Sequence, residues 1–115
     1  MLAVIFEFWT DPDHADIYWS HAKAMSELVK DADGFISIER FQSVSDEGKY
    51  VSLSFWRDEA AIEAWRNRIQ HRAAQSAGRA GAFKDYRLRV AEIRRDYTMK
   101  DLSLIHISEP TRRYE

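Results

Sequence analysis

Apolar and polar positions alternate along three stretches of the chain, and this alternation predicts three β-strands. Residues 2–9 are apolar except for Glu7, and residues 35–42 and 50–56 alternate residue by residue. Successive side chains of a strand point to opposite faces, so a period of two is expected where one face of a sheet is buried. Turn-forming residues fill positions 43–48, which predicts a hairpin between the second and third strands.

A helical repeat replaces the alternation after the first strand. Asp11 is a suitable N-cap, and Pro12 fits the first helical position because the missing N–H of proline is not needed there. Gly34 is the expected C-cap, which predicts a helix over residues 13–32. Its apolar stripe consists of Ile17, Met25, Leu28, Val29 and Ala32.

A second helical repeat follows the third strand. Asp58 is its expected N-cap, and Gly78 and Gly81 are expected to end it. Its apolar stripe consists of Ile62, Trp65, Ile69 and Ala73. A last, long strand over residues 83–98 completes the order β-α-β-β-α-β, the ferredoxin-like arrangement of an α+β domain.

One domain accounts for most of the chain. Its 115 residues, 45% of them apolar, can form a single core, whereas chains divide into several domains only beyond about 250–300 residues. We expect this domain over residues 1–98. Residues 99–115 follow a set of elements that is already complete. The sequence of this tail resembles a translated sequencing adaptor. We therefore assign no function to this tail.

The two helices are expected to cover one face of the sheet, which leaves the other face to a partner. We assign large aromatic residues to that uncovered face, beside short polar ones: Phe35, Phe41, Tyr50 and Trp56, with Ser37, Glu39, Ser52 and Ser54. A surface this aromatic is seldom left in water. The pattern therefore predicts a homodimer with symmetric contacts between the sheets.

Composition and charge narrow the range of partners. The net charge of −2 does not favour nucleic acid or an anionic membrane, and the basic run between Arg66 and Arg95 lacks the interleaved aromatic residues that stack on bases. No apolar run approaches the roughly 20 residues of a membrane-spanning helix. The absence of cysteine excludes thiol chemistry and is consistent with a cytoplasmic protein. No two histidines have the spacing of a helical metal site.

Several segments together resemble the antibiotic biosynthesis monooxygenase family, a group of dimeric α+β barrels. They are GFISIERF (34–41), KYVSLSFW (49–56), AWR (64–66), HRAAQ (71–75), the glycine and arginine at 78–79, and residues 83–97. Some members of this family resemble oxygenases of phenols or quinols that need no cofactor, whereas others degrade haem. The resemblance implies a ligand pocket between the helices and the sheet.

The cofactor-free branch of the family is the better match. The haem-degrading branch needs an asparagine on the first strand and a histidine about ten residues after a helical tryptophan. Trp65 supplies the tryptophan, but the chain's only asparagine is Asn67 and the tenth residue after Trp65 is Gln75. The resemblance thus implies a monooxygenase that uses O₂ on an electron-rich polycyclic phenol, quinol or related small molecule, without cofactor or metal. The alternatives are a non-catalytic dimer that binds a small ligand and, third, a haem-binding protein.

The resemblance and the residue types together give a candidate site. We expect three aromatic residues to contact the substrate, namely Trp65, Phe83 and Tyr86. Arg66 is expected to stabilise the substrate anion. Trp65 also suits core packing, because it shares the stripe of Ile62 and Ile69. The proton is expected to pass to His71 or His21. His71 lies nearly opposite Ile62 on an ideal helix, so a break near residues 68–70 is needed to turn it inward, whereas His21 falls within the stripe of the first helix.

Two carboxylates, Glu7 and Glu39, lie within predicted strands among mostly uncharged residues. Either side chain could act as a base if burial raised its pKa. The expected arrangement is an ion pair with an arginine, which is Arg40 or one from the last strand.

Overall fold

The computed structural model describes residues 1–75 and 84–102, apart from the side chains of His14 and of residues 70–75. Within these residues the elements follow in the predicted order: β1 (Leu2–Trp9), α1 (Ala15–Val29), β2 (Phe35–Gln42), β3 (Lys49–Trp56), α2 (Glu59–Gln75) and β4 (Asp85–Glu92). This order confirms the ferredoxin-like α+β fold. No helix in the described part of the chain is long and apolar enough to cross a membrane.

The four strands form one antiparallel sheet in the order β2-β3-β1-β4. The register places Phe6 of β1 between Ser52 of β3 and Leu88 of β4. Since directly paired residues point to the same face, the even-numbered residues of β1, β3 and β4 share one face. Phe8 and Trp56 on that face pack against residues of α1 and α2. We call it the helix-side face and call the opposite one the open face.

Most of the aromatic residues that the sequence pattern assigned to the uncovered face lie on the helix-side face instead. A β-bulge between Phe35 and Ser37 shifts the register of β2, so these two residues point to opposite faces. The β3 residues on the helix-side face are Tyr50, Ser52, Ser54 and Trp56, and Phe35 joins them because of the bulge. The open face holds the apolar residues Ile5, Val51, Leu53, Phe55 and Phe41 beside Ser37 and Glu39, and also Trp9 and the charged residues Glu7, Lys49 and Arg89.

The first helix is shorter than predicted. Asp11 is an N-cap as expected, but it begins a 3-10 turn, Pro12–His14, that leads into α1. The last helical residue is Val29, because Asp31 N and Ala32 N donate to the carbonyls three residues earlier and tighten the chain into turns. Gly34 does adopt a left-handed conformation, with φ of 82°, but it does so immediately before β2 rather than at the helix end.

The second helix begins at the predicted cap. Oδ1 of Asp58 accepts a hydrogen bond from Ala61 N at 2.9 Å, and its carboxylate pairs with Arg57. The bond from Ala61 and the Arg57 guanidinium lower the pKa of Asp58. Arg57 also forms two bonds to Asp33, at 3.0 and 3.2 Å, and these lower the pKa of Asp33. The exposed network ties the α2 start to the turn before β2.

The last strand ends at Glu92, before the predicted residue 98. Its neighbour β1 reaches only to Leu2, which pairs with Glu92, and Ile93 N then donates to Met1 O at 3.0 Å. The ladder of β1 and β4 ends at this point. Gly78 and Gly81, the predicted end of α2, lie outside the described residues, as does Phe83.

Among the residues that the structure describes, the buried apolar side chains form two separate clusters. One is centred on Phe8, Tyr18 and Ala22, with Phe6 and Tyr50 packed against it. The other contains Val29, Trp56 and Ala61, and its partly buried neighbours are Val4, Ala32, Phe35, Ile38, Ile62 and Trp65. A small domain more often has one contiguous core, so the region between the clusters is of functional interest.

Gly34 allows α2 to approach the turn before β2, and we expect Gly34→Ala to destabilise the protein. A Cβ at this position would lie 2.5 Å from the Cβ of Ala61, and the φ of 82° is unfavourable for any side chain. The left-handed conformation alone costs an L-residue about 1–2 kcal/mol, and the contact adds to that. Chemical denaturation monitored by circular dichroism measures the change in the free energy of unfolding.

Gly48→Ala is the matched control for this substitution. A Cβ at Gly48 meets nothing closer than Asp46 Oδ1 at 3.8 Å, and the backbone there is not left-handed. We expect the midpoint of Gly48→Ala to stay close to that of the parent. Equal stability of the two variants would show that neither the conformation nor the contact at Gly34 constrains the fold.

Candidate functional site

The register of the sheet arranges the helix-side face in rows that run across the four strands. Each row takes one residue from β2, β3, β1 and β4 in that order. Three successive rows are Gln42–Tyr50–Phe8–Tyr86, Arg40–Ser52–Phe6–Leu88 and Ile38–Ser54–Val4–Val90. The first row is rich in aromatic rings, whereas the other two combine short polar side chains on β3 with apolar ones on β1 and β4.

Contacts of α1 show which side of this helix faces which strands. Tyr18 lies over Phe8 of β1, with ring centroids 4.5 Å apart, and Trp19 meets Tyr50 of β3 edge to face at 5.2 Å. Ser26 accepts a hydrogen bond from Arg40 of β2 at 2.8 Å, so Trp19 and Ser26 mark the side of the helix that faces β2 and β3. His21 follows Tyr18 by three residues, about 60° round the helix in the other sense. It is half-buried on the side that faces β1 and β4.

The helix-side residues of β4 remain largely uncovered. Tyr86, Leu88 and Val90 are 61%, 51% and 43% exposed. The ring of Phe6 on β1 lies 5.7 Å from that of Tyr86 and joins these residues into one apolar surface. We call these four residues the β1–β4 strip. Exposed apolar patches of this kind often mark surfaces that bind a ligand or another protein.

Trp65 lies at the other end of the helix-side face from Tyr86. Its ring is 6.2 Å from that of Trp56, and the guanidinium of Arg68 lies over it at 5.7 Å. Trp56 pairs with Leu2 of β1, and Tyr86 pairs with Phe8 of the same strand. Leu2 and Phe8 are six residues apart, which corresponds to about 20 Å along the strand. Trp65 is therefore part of the core, as its apolar stripe suggested, and it also borders a cleft of about 210 Å³ between α2 and the turn after α1.

The remaining predicted site residues occupy varied positions. Arg66 is exposed on α2. The backbone of α2 is continuous from Glu59 to Gln75, so the break that was needed to turn His71 inward does not occur. The side chain of His71 and the whole of Phe83 lie outside the described residues. Their roles stay predictions.

Beside the core cluster of Phe8 lies a group of polar side chains that the sequence did not single out as a site. Nη1 of Arg40 donates to Ser26 Oγ at 2.8 Å, and Ser26 in turn donates to the Ala22 carbonyl at 2.8 Å. The same guanidinium lies beside the hydroxyl of Tyr18. We call Tyr18, Ser26, Arg40 and the neighbouring Ser52 the polar seam. The sequence feature that could have indicated this group is Arg40, which lies two residues after Ile38 and so shares its face of the strand.

Glu7 lies on the open face and forms the ion pair that was expected with an arginine of the last strand. Its carboxylate is 2.7 Å from Nη1 of Arg89 and 3.4 Å from Nζ of Lys49. Partial burial tends to raise the pKa of Glu7, but the hydrogen bonds and charges of Lys49 and Arg89 together outweigh it and lower the pKa. A lowered pKa opposes a role for Glu7 as a catalytic base. Glu39 is exposed on the same face.

A larger cleft, of about 430 Å³, also lies on the open face. Its lining is formed at the end of the sheet where β1 begins, and it consists of Met1, Ile36, Ser37, Phe55, Ile93, Arg95 and Asp96. It is separated from the β1–β4 strip and the polar seam by the thickness of the sheet.

Comparison with known proteins identifies the family. Residues 1–77 match the family described as "Antibiotic biosynthesis monooxygenase". The chain belongs to this family. Over 93 residues, 81% of this chain, it is 43% identical to a protein of the fungus Pyricularia oryzae (strain 70-15) named "Jasmonate monooxygenase ABM". The chain spans 43% of the length of that relative.

Solved structures of antibiotic biosynthesis monooxygenases and similar proteins share the fold. Rv0793 from Mycobacterium tuberculosis superimposes with a TM-score of 0.71 at 18% identity, covering 84% of this chain and 98% of that one. A mutant of MhuD, solved with two manganese protoporphyrin IX groups in each active site, gives a TM-score of 0.68 at 19% identity over 85% and 99% of the two chains. At these identities the likeness shows the fold alone.

Proposed function

We propose that this protein is a cofactor-independent monooxygenase that acts with O₂ on a small, electron-rich molecule bound between the helices and the sheet. Membership of the family supports the type of reaction. The β1–β4 strip is the observation that supports the place: its large side chains on β4 are 43–61% exposed on the face that the helices otherwise cover. Binding pockets are mostly apolar and contain a few polar groups that orient the ligand.

The proposed reaction needs a carbon acid that ionises readily. A methylene group beside a phenolic ring or a carbonyl loses a proton to a base, and the resulting carbanion transfers one electron to O₂. The two radicals combine to a peroxide, and loss of water leaves a carbonyl. The CH₂ group and O₂ thus give C=O and H₂O, without an external reductant. The protein has to supply the base, a donor for the anion and an apolar surface.

His21 is the proposed base. It is half-buried, and the contacts of Tyr18, Trp19 and Ser26 place it on the side of α1 that faces β1 and β4. An imidazole is the side chain whose ordinary pKa suits proton transfer near neutral pH. Tyr86 is the proposed ring contact of the substrate on the β1–β4 strip. Trp65 lies about 20 Å away along the sheet, further than one small molecule reaches from Tyr86.

Two classes of compound meet the chemical requirement. Anthrones have such a methylene group between their rings, and naphthols and hydroquinones have an equivalent CH₂ in the keto tautomer of the ring. All three give stabilised phenolate-type anions, as the family resemblance implies. The name of the fungal relative adds jasmonate, a cyclopentanone with a carboxylate side chain, which has a methylene group beside its ring carbonyl. Both classes combine an apolar ring system with an oxygen that becomes anionic.

The direct test is oxygen consumption by the full chain with this panel of compounds. We expect uptake with at least one class, and a loss on the order of tenfold in Tyr86→Leu, because the substrate loses a ring contact that orients it. Tyr97→Leu is the matched control: Tyr97 lies beyond the end of β4 and is 40% exposed, so uptake should be unchanged. Quenching of tryptophan fluorescence by these compounds without any uptake would assign the protein to the non-catalytic ligand-binding class instead.

We also propose that a second copy of the chain covers the open face. The apolar residues there include Ile5, Leu53 and Phe55, half-buried, and Phe41, 45% exposed. Burying such a face against its symmetric copy removes it from water. Sedimentation equilibrium should give twice the mass of the chain, and a monomer at micromolar concentration would refute this assembly.

A further inference from the structure

Arg40 places a positive charge in the layer between α1 and the sheet. Its side chain is half-buried, and its Nε is inaccessible to solvent and has no hydrogen-bond partner within the described residues. Among those residues, no carboxylate lies within ion-pair distance of the guanidinium, whereas Arg57 has two and Arg89 has one. Charges that leave water are normally paired, since an uncompensated one is costly.

The groups around Arg40 offer hydrogen bonds but no negative charge. Ser26 accepts from Nη1, and its own hydroxyl proton goes to the Ala22 carbonyl. Ser52, its neighbour across the sheet, is half-buried on the same face. Tyr18 is buried, and burial raises the pKa of its hydroxyl although the adjacent Arg40 acts in the opposite direction. Tyr18 therefore stays neutral near pH 7 and keeps a proton that it can donate.

The polar seam adjoins the β1–β4 strip, because Ser52 of the seam pairs with Phe6 of the strip. Arg40 and Ser52 are in the same row as Phe6 and Leu88, so one line across the sheet leads from the guanidinium to the exposed strand. Three strand spacings separate the ends of this row, about 14 Å. Ser26, Arg40 and Ser52 of the seam belong to neither apolar cluster, whereas Tyr18 belongs to the one around Phe8.

We propose that Arg40 and Tyr18 bind an oxygen anion of the ligand, which is the carboxylate, phenolate or enolate oxygen of an aromatic or cyclic acid. The guanidinium supplies the charge and the Tyr18 hydroxyl supplies a second donor, an arrangement that favours anions over neutral isosteres. This inference rests on the proposed function for the location of the ligand. It replaces the exposed Arg66 with Arg40 as the anion-binding arginine.

Equilibrium binding of a matched pair of probes tests this proposal without requiring turnover. 2-Naphthoate is anionic at pH 7, and 2-naphthamide is a neutral compound of nearly the same shape. We expect the parent protein to bind 2-naphthoate on the order of tenfold more tightly, as measured by tryptophan fluorescence, since hydrogen bonds to charged groups are the stronger class. Arg40→Met should abolish this preference while leaving the affinity for 2-naphthamide unchanged, and Arg40→Lys should restore part of it.

Three further measurements keep the outcome unambiguous. Tyr18→Phe retains the ring and should reduce the preference severalfold, and it serves as the test if Arg40→Met does not give a folded circular-dichroism spectrum. Arg94→Met removes an exposed arginine and should leave the preference intact. With 2-naphthol, an absorbance spectrum of the bound naphtholate would assign the seam to the reacting oxygen, whereas a preference for the carboxylate alone would assign it to an anchoring acid group.

Two results would overturn the proposal. One is failure of 2-naphthoate to bind, and the other is an anion preference that survives both Arg40→Met and Tyr18→Phe. Neither result depends on oxygen uptake. If the protein binds 2-naphthoate through Arg40 but consumes no O₂, the anion site is supported and the proposed oxygenase function is refuted.

Discussion

Replacing His21 with glutamine is expected to lower the rate of oxygen consumption about 100-fold or more, which is the usual contribution of a positioned general base. Glutamine keeps a similar size and a hydrogen-bonding end group but cannot accept the proton of a carbon acid near neutral pH. His21 is half-buried on the side of α1 that faces β1 and β4. Steady-state uptake at saturating substrate gives kcat, and ligand binding by fluorescence should be retained.

The variant His71→Gln decides between the two histidines that the sequence offered. Because α2 continues without a break to Gln75, we expect His71→Gln to keep the parental rate within about a factor of three, far from the 100-fold effect of a base. A large loss in His71→Gln together with normal activity in His21→Gln would reverse the assignment. Losses in both variants would indicate that the two histidines act in one proton-transfer path.

Replacing Phe8 with alanine is expected to lower the free energy of unfolding by about 3–5 kcal/mol, the range for deletion of a buried aromatic ring. Phe8 is 0% exposed. Its ring contacts those of Phe6, Tyr18 and Tyr50 at centroid distances of 5.2, 4.5 and 5.7 Å. Since small domains are stable by only about 5–15 kcal/mol, this loss is a large share of the total. Urea unfolding followed by circular dichroism at fixed protein concentration measures it.

Val44→Ala is the control for loss of apolar volume. Val44 is in the turn between β2 and β3 and is fully exposed, so its replacement should change the free energy of unfolding by less than about 0.5 kcal/mol. A Phe8→Ala variant that unfolds at the parental urea concentration would mean that the cluster of Phe8, Tyr18 and Ala22 is not a stabilising core.

The periodicity of the sequence was sufficient for the order of the elements. The first three strands begin and end within one residue of their predicted bounds, because a period of two with clear turn residues is a local property. The ends that were mispredicted depend on neighbours. β4 stops where β1 no longer pairs with it, and α1 stops where the chain turns to bring Gly34 against Ala61.

The faces of the sheet could not be read from the sequence. One inserted residue between Phe35 and Ser37 changes which residues of β2 share a face with those of β3, and nothing local announces that bulge. Tyr50 and Trp56 were expected on the dimer face for another reason: alternation shows that they share a face but not which face the helices cover, and they pack beneath the helices.

The candidate site was predictable only in part for the same reason. His21 was proposed from the sequence because its spacing places it within an apolar stripe, and its role stays a prediction. Arg40 was considered only as a partner for a carboxylate, and Tyr18 was not considered, because their proximity depends on the packing of α1 against β2. Trp65 and Tyr86 were expected to share one site, but about 20 Å along the sheet separates their positions.

The most direct measurement is the fate of oxygen in the product. The full chain is incubated under ¹⁸O₂ with the best substrate from the panel, and the product is examined by mass spectrometry. A monooxygenase of the proposed kind leaves one ¹⁸O atom in the product, at a rate that falls about 100-fold in His21→Gln. Product without ¹⁸O, or labelling at the same rate without protein, would contradict the proposed function.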